Sequence, residues 1–302
     1  MKYKYYTADV FTDKPFFGVP LPVFPDASGL TDEQMQQLAS ELSTSSTVFL
    51  FSGQEDHSRK IRVFTPQKEV AANTHTILAA SFILTATGSV ALNGRHTLVS
   101  LEGAEQSVDT YVTQQEGKPT LVQQTYDTHA AIDYYTPTEE ELAAMLSLTP
   151  ADIGFEHYRP LIVSCGVPYL IVPIKSYHAI REARFNLSAW SNSTAPSSLA
   201  QEILLFANNT DDNPADFHAR LIGPAIAFHE DPPIGGAIAA FASHICDHPH
   251  VQEGTHTFAI QRGANDARKS ILHVEMDNKK TKDLTIRVGG SAVLMSEAEI
   301  SF

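Results

Sequence analysis

The stretch Glu69–Ser81, EVAANTHTILAAS, places Asn73, Thr74, His75 and Thr76 directly before the apolar run Ile77 to Leu84. Asn or Thr opens a helix well, because its side chain accepts from one of the first backbone N–H groups, which have no partner inside the helix. A helix that is apolar nearly all round has to be enclosed by other structure. The stretch therefore predicts a buried helix from His75 to about Thr87. Its first N–H groups, at Thr74 to Thr76, are expected to face a small anion with the histidine beside it.

A second run of this kind, Gly235 to Ile245, follows the turn-rich segment EDPPIGG, residues 230 to 236. Three pairs of segments echo one another in the same order along the chain. FGVPLPVF (17–24) is answered by CGVPYLIV (165–172), KIRVFTP (60–66) by HARLIGP (218–224), and TILAASF (76–82) by GAIAAFA (236–242). The offset is close to half the chain, which predicts an internal duplication. Each half then carries a central apolar helix inside a sheet. The two helix entries are expected to face each other across an inter-domain cleft, a favoured place for a ligand.

Other elements follow from patterning. Thr31 and Gln34 make a capping box for a helix to Leu42, with Met35, Leu38 and Leu42 as its apolar stripe. PTEEELAAML, from Pro137, reads as a helix with an acidic first turn, and Ser198 to Phe206 as another. Strands are expected at KYYTADVF, LPVFP, TVFLF, KIRVF, around Val90, Leu98 and Val108, at RPLIVSC, YLIVPI and HARLIGP, and in the closing segment. The polar segment Asp127 to Asp133 is the expected junction, dividing the chain into 1–126 and 130–290, with the strand 290–302 assigned to the first half.

Composition narrows the function. In 302 residues, 21 Lys plus Arg stand against 35 Asp plus Glu, a net charge of -14 that repels nucleic acid and anionic lipid surfaces alike. The start, MKYKYYTADV, has no apolar signal core, and no apolar run approaches the roughly 18 residues of a membrane span. The two cysteines, Cys165 and Cys246, lie far apart, as in a reducing compartment, and a cytoplasmic protein is expected. HICDHPH, 244–250, offers metal-ligand types, but its place at a helix end gives histidines a dipole partner, and no metal is expected there.

The run DVFTDKPFFGVPLPVFPDASGLTDEQMQQLASELSTSSTVFL, then IRVFTPQKEV with THT, HEDPPIGGA and RGANDARKS, resembles the phenazine-biosynthesis PhzF-like family over almost the whole chain. The resemblance implies an α+β fold of two pseudo-symmetric diaminopimelate-epimerase-like domains, each a curved, mostly antiparallel sheet around a central apolar helix. It also implies cofactor-free isomerisation by proton transfer on a small-molecule carboxylate. A homodimer is compatible with this reading.

Carried over residue by residue, the family's acid-base glutamate is Ser46, its Gly-Asn-Pro is Gly18, Val19, Pro20, and its Ala-Gly-His-Pro is Asn73, Thr74, His75, Thr76. Its Glu-Asp-Pro-x-Thr-Gly-Ser-Ala is Glu230 to Ala237, which keeps Asp231 and has Ile234 and Gly236 where the hydroxyls stood. Its Gln-Gly is Arg262, Gly263. The expected catalytic set is thus His75, Asp231 and the Ser46 position. Asn73, Thr74, Thr76, Ile234, Gly235, Gly236 and Arg262 are expected around the substrate. His75, near a helix N-terminus, is expected to be neutral near pH 7. Asp231 reads as a proton carrier or as a helix cap, and Arg262 as a partner of Asp231, of a substrate carboxylate, or of solvent. Loss of the glutamate leaves two readings: an isomerase, or a binding protein that kept the cleft and lost catalysis.

Overall fold

The computed structural model describes residues 2–104, 107–198, 200–208, 215–224, 226, 231–264, 267–281 and 283–301. The chain divides into two compact units: Met1–Thr125 with Asp266–Ile271 and Val288–Phe302, and Tyr126–Asn265 with Leu272–Arg287.

The first unit begins with β1 (Lys2–Val10), β2 (Val19–Phe24), α1 (Asp32–Leu42), β3 (Thr47–Ser52), β4 (Ser58–Phe64) and β5 (Glu69–Val70). Then come α2 (Thr74–Ala86), β6 (His96–Glu102), β7 (Ser107–Gln115) and β8 (Lys118–His129), which runs past the unit boundary. The second unit adds β9 (Ala131–Asp133), α3 (Glu139–Leu146), β10 (Leu161–Cys165), β11 (Val167–Pro173), α4 (Tyr177–Glu182), α5 (Leu187–Asn192), β12 (Glu202–Asn208) and β13 (Phe217–Ile222). It continues through α6 (Ile238–Asp247) and β14 (Gly254–Ala264), and β15 (Ala267–Asn278) and β16 (Asp283–Gly290) each belong in part to it and in part to the first unit. The last strand, β17 (Ala292–Ser301), pairs antiparallel with β1 in the first unit.

Both units repeat one order of pairings. In the first, β1 and β2 are antiparallel, β2 and β3 parallel, β3 and β4 antiparallel, and β4 and β6 parallel. In the second, β10 and β11 are antiparallel, β11 and β12 parallel, β12 and β13 antiparallel, and β13 and β14 parallel. A parallel pair needs a crossover connection, and the central helix lies in one of them in each unit: α2 between β4 and β6, α6 between β13 and β14. The echoed segments fall on matching steps of this order: β2 and β11, β4 and β13, α2 and α6.

The central helices are buried because they have no polar face to offer water. Every residue of α2 from Thr74 to Thr85 is buried, and the helix packs on β1, β2, β3, β7 and β17. Its few hydroxyls are satisfied internally: Ser81 Oγ lies 2.8 Å from Thr110 Oγ1, and Thr85 donates to the Ser81 carbonyl at 2.8 Å. α6 is buried from Ile238 to Ile245 and packs on β10 and β11. Its Phe241 meets Phe206 and Phe217 edge-on at ring separations of 4.9 and 5.4 Å. The opposite faces carry the amphipathic helices. Met35, Leu38 and Ala39 of α1 join the stacked pair Phe24 and Phe49, and Leu142, Met145 and Leu146 of α3 pack with Ile180 and Trp190. Strands covered on both faces, such as β2 and β12, are therefore apolar without alternation.

Two expected elements take another form. The described residues from Ser198 to Phe206 form no helix; β12 occupies the second half of that stretch. A buried run of five residues, Ile203 to Ala207, is too short for its period to separate helix from central strand, and its neighbours β11 and β13 settle it as strand. Around Val90 there is a turn instead of a strand, in which the Val90 N–H returns to the Leu84 carbonyl after α2.

Candidate functional site

Asn73 caps α2, with its Oδ1 accepting the Thr76 N–H at 3.3 Å while Thr76 Oγ1 accepts the Asn73 N–H at 2.9 Å. The reciprocal box corrects the expectation that Thr76 offers an open N–H, since the protein's own side chain takes that donor. Thr74 and His75 fill the first turn and are 7% exposed each. Ser46 is buried immediately before β3, with its carbonyl accepting the Thr44 hydroxyl at 3.0 Å.

In the second unit the lead-in to α6 is held by arginines. Asp231 Oδ2 accepts from Arg181 Nη1 at 2.6 Å, and Oδ1 lies 3.3 Å from Arg220 Nε in an ion pair without hydrogen-bond alignment. The Asp231 side chain is 18% exposed and that of Arg220 7%. Burial lowers the Arg220 pKa from its ordinary value, and the Asp231 charge works against that shift. Arg262 does not lie on the solvated surface. It is 8% exposed on β14 and donates from Nε to the Pro232 carbonyl at 3.3 Å.

Asp231 does not cap the helix. Gly235–Ala237 form a 3-10 turn with Ile234 at its cap position and no capping side chain, and α6 starts at Ile238. The Ile234 carbonyl accepts the Ala237 N–H at 2.9 Å, and its side chain is core at 1% exposure. Gly235 is buried and Gly236 exposed. A Cβ on Gly236 would lie 3.1 Å from the Tyr169 hydroxyl, whose pKa burial pushes up to about 12.

Arg181, Arg220 and Tyr169 were not among the expected residues. For Arg220 a signal existed, because it holds the third place of the echoed segment HARLIGP. Arg181 lies 50 residues before Asp231 in an α4 without an echo in the first half.

HICDHPH forms one wall of an open pocket of about 900 Å³ in the second unit. His248, His250 and Asp247 line it with His157, Tyr158 and Arg159. His244 lies behind, fully buried, with Nε2 at 2.8 Å from the Arg159 carbonyl. Burial drives its pKa down to about 3, and that of His248 is lowered by burial first and His250 second. Among the described residues no three His, Cys, Asp or Glu are placed to hold a metal ion. Burial raises the Cys246 thiol to about 11, against Met276 Sδ at 3.5 Å, and Cys165 Sγ meets Ser243 Oγ at 3.5 Å. A pocket of about 690 Å³ in the first unit is lined by Lys60, Arg62, Glu69 and Glu102 over Phe51 and Ile77. Neither pocket is lined by Ser46, His75 or Asp231. Among the described residues no helix is long and apolar enough to cross a membrane.

Two units with one pairing order, each holding an apolar helix in its sheet, define a protein of the diaminopimelate-epimerase fold class. Residues 8–298 match the family described as phenazine biosynthesis-like protein, and the chain belongs to that PhzC/PhzF family. It is 28% identical to an uncharacterized isomerase of Mesorhizobium japonicum over 98% of both chains. It is 24% identical to trans-2,3-dihydro-3-hydroxyanthranilate isomerase of Pseudomonas aeruginosa, again over 98% of both. A crystal structure of a PhzF-family protein from Bacillus anthracis superposes with a TM-score of 0.85 at 22% identity, covering 100% of both chains.

Proposed function

We propose that the protein is a cofactor-independent isomerase that moves a proton on a small carboxylate, with Ser46 standing where the family has its acid-base glutamate. The observation that carries this reading is the family match from residue 8 to 298, and the motif resemblance assigns His75 and Asp231 to positions of the family's site. His75 opens a buried helix, where an imidazole is sheltered from bulk water. Asp231 is an oriented carboxylate beside the second central helix. These two are assigned the proton transfers, since serine acts as a base only when a partner activates it.

A second reading, a binding protein without turnover, is favoured by Ser46 itself and by the closed N–H group of Thr76. Solvent deuterium incorporation distinguishes the two. The protein is incubated in D2O with a panel of small amino and cyclic carboxylates that includes trans-2,3-dihydro-3-hydroxyanthranilate. Enzyme-dependent labelling at carbon is expected for at least one. Binding of a panel member without any labelling would overturn the isomerase reading in favour of the second. The repeated pairing order is part of the same proposal, as inheritance from an internal duplication that gave each unit one helix entry.

A further inference from the structure

From β13 Arg220 meets three oxygens at once, two through hydrogen bonds and the third through an ion pair. Its Nη1 donates to the carbonyls of Ile180 at 3.2 Å and Ala183 at 3.0 Å, both at the C-terminal end of α4, while its Nε faces Asp231 Oδ1. Arg181, on that same last turn of α4, covers the other Asp231 oxygen. Each carboxylate oxygen therefore meets one guanidinium, and the buried arginine also holds the helix that delivers the half-buried one. We infer that Arg220 is a positioning residue for Asp231, fixing the carboxylate directly through Oδ1 and indirectly through α4 and Arg181. This rests on the proton-transfer reading above.

The first unit carries the same device in a different setting. Arg62 holds the third place of the echoed segment KIRVFTP on β4, as Arg220 does on β13. It grips Glu69, on the lead-in to α2, through two N–H···O contacts of 2.7 Å each. In both units the arginine at the third place of the echoed segment thus meets a carboxylate on the way into the central helix. They differ in burial. Arg62 and Glu69 have side chains 30% and 45% exposed, so water can substitute for either. Arg220 and Asp231 are 7% and 18% exposed, where an uncompensated charge is costly. A buried guanidinium that spans a helix end and a carboxylate sets geometry more than it adds stability. Orientation is also what a proton carrier needs, since a displacement of about 1 Å costs roughly a hundredfold in rate. Arg262 acts on the same segment by holding the Pro232 carbonyl, one residue beyond Asp231.

The test has a catalytic and a thermodynamic part. On the substrate that labels in D2O, Arg220→Ala is expected to lower kcat about a hundredfold with KM within about twofold. Added guanidinium ion should restore part of kcat. Arg220→Lys, which keeps the charge and is the milder change should the alanine variant not fold, cannot reach the α4 carbonyls and Asp231 together, and its kcat should also fall. Independently, urea unfolding of Arg220→Ala, Asp231→Asn and the double variant should be non-additive, with unfolding constants differing from the product of the single effects by about tenfold. Additive effects would overturn the clamp. Coupling with kcat unchanged in both Arg220 variants would show a purely structural pair and overturn the positioning role. If no panel member is labelled by the wild type, the proton-transfer reading fails and the catalytic role with it, while the unfolding cycle still decides the clamp by itself.

Discussion

Asn73 and Thr76 close the entry to α2 on each other, the Thr76 N–H on Asn73 Oδ1 at 3.3 Å and the Asn73 N–H on Thr76 Oγ1 at 2.9 Å. The box sits at the half-buried start of a helix that is buried from Thr74 to Thr85, so the two bonds satisfy donors that the helix itself leaves open. Asn73→Ala is expected to destabilise the protein by about 1 kcal/mol, the usual cost of losing a capping side chain. Urea unfolding measures it. A change within about 0.3 kcal/mol would mean that another group takes the Thr76 N–H.

Acidification should weaken the second unit through His244. Its folded pKa is about 3, below the roughly 6.5 of an unfolded histidine, so between these values the unfolded chain binds the extra proton. The stability is full above pH 6.5 and is lost as pH falls through that window, by up to about 1.4 kcal/mol per unit. His248 is shifted the same way. Unfolding midpoints at pH 7.5, 6 and 5, above the range where most carboxylates titrate, should fall steadily, and less so for His244→Phe. An equal slope in wild type and variant would rule out His244 as the source.

The first and second members of the GVP echo test local space. Gly18 has φ +69°, and a Cβ there would sit 2.3 Å from the Val10 carbonyl oxygen and 2.8 Å from Thr12 Cγ2. Gly166 also lies at positive φ, +103°, but has open space around it. Gly166→Ala is expected to cost about 1 kcal/mol from backbone strain alone, and Gly18→Ala about 3 kcal/mol or more from strain and overlap together. Urea midpoints with unchanged slopes would measure both. Equal costs would show that the Val10 to Gly18 loop yields without penalty.

The parts of this molecule that were legible in the sequence are those whose cause is local. The capping box at Thr31 joins residues three apart, the acidic first turn marks α3, and the run after Asn73 is apolar on every face. The strand β12 was misread because its five buried residues carry no period, and α4 and α5, six residues each, left too little pattern to find. Asp231 and a possible partner, Arg262, follow from the family's motif, but the two arginines that meet the carboxylate, Arg181 and Arg220, do not. Arg181 and Arg220 come from 50 and 11 residues earlier, and Arg262 from 31 later, so only the fold shows which of them meets the carboxylate. His157 likewise joins the HICDHPH wall from a loop about 90 residues before it, and no sequence spacing signals that.

On the proposed assignment Ser46 takes the place of the family's glutamate, and substituting it tests whether that change disables the chemistry. The residue is 4% exposed, so a longer side chain must find room or shift its neighbours. Given that room, Ser46→Glu restores a general base worth roughly 10²- to 10⁴-fold in proton transfer. The wild type is expected to be slow with trans-2,3-dihydro-3-hydroxyanthranilate, and Ser46→Glu to be faster by part of that range, since the resemblance implies changes at Val19, Ile234, Gly236 and Arg262 as well. Single-turnover assays of both proteins, beside Ser46→Gln as a control for bulk without basicity, give the comparison. Equal gains in the Glu and Gln variants would assign the effect to shape alone. A wild type already turning over this substrate at about 10 s⁻¹, an ordinary enzymatic rate, would sink the idea, because His75 and Asp231 would then suffice without the glutamate.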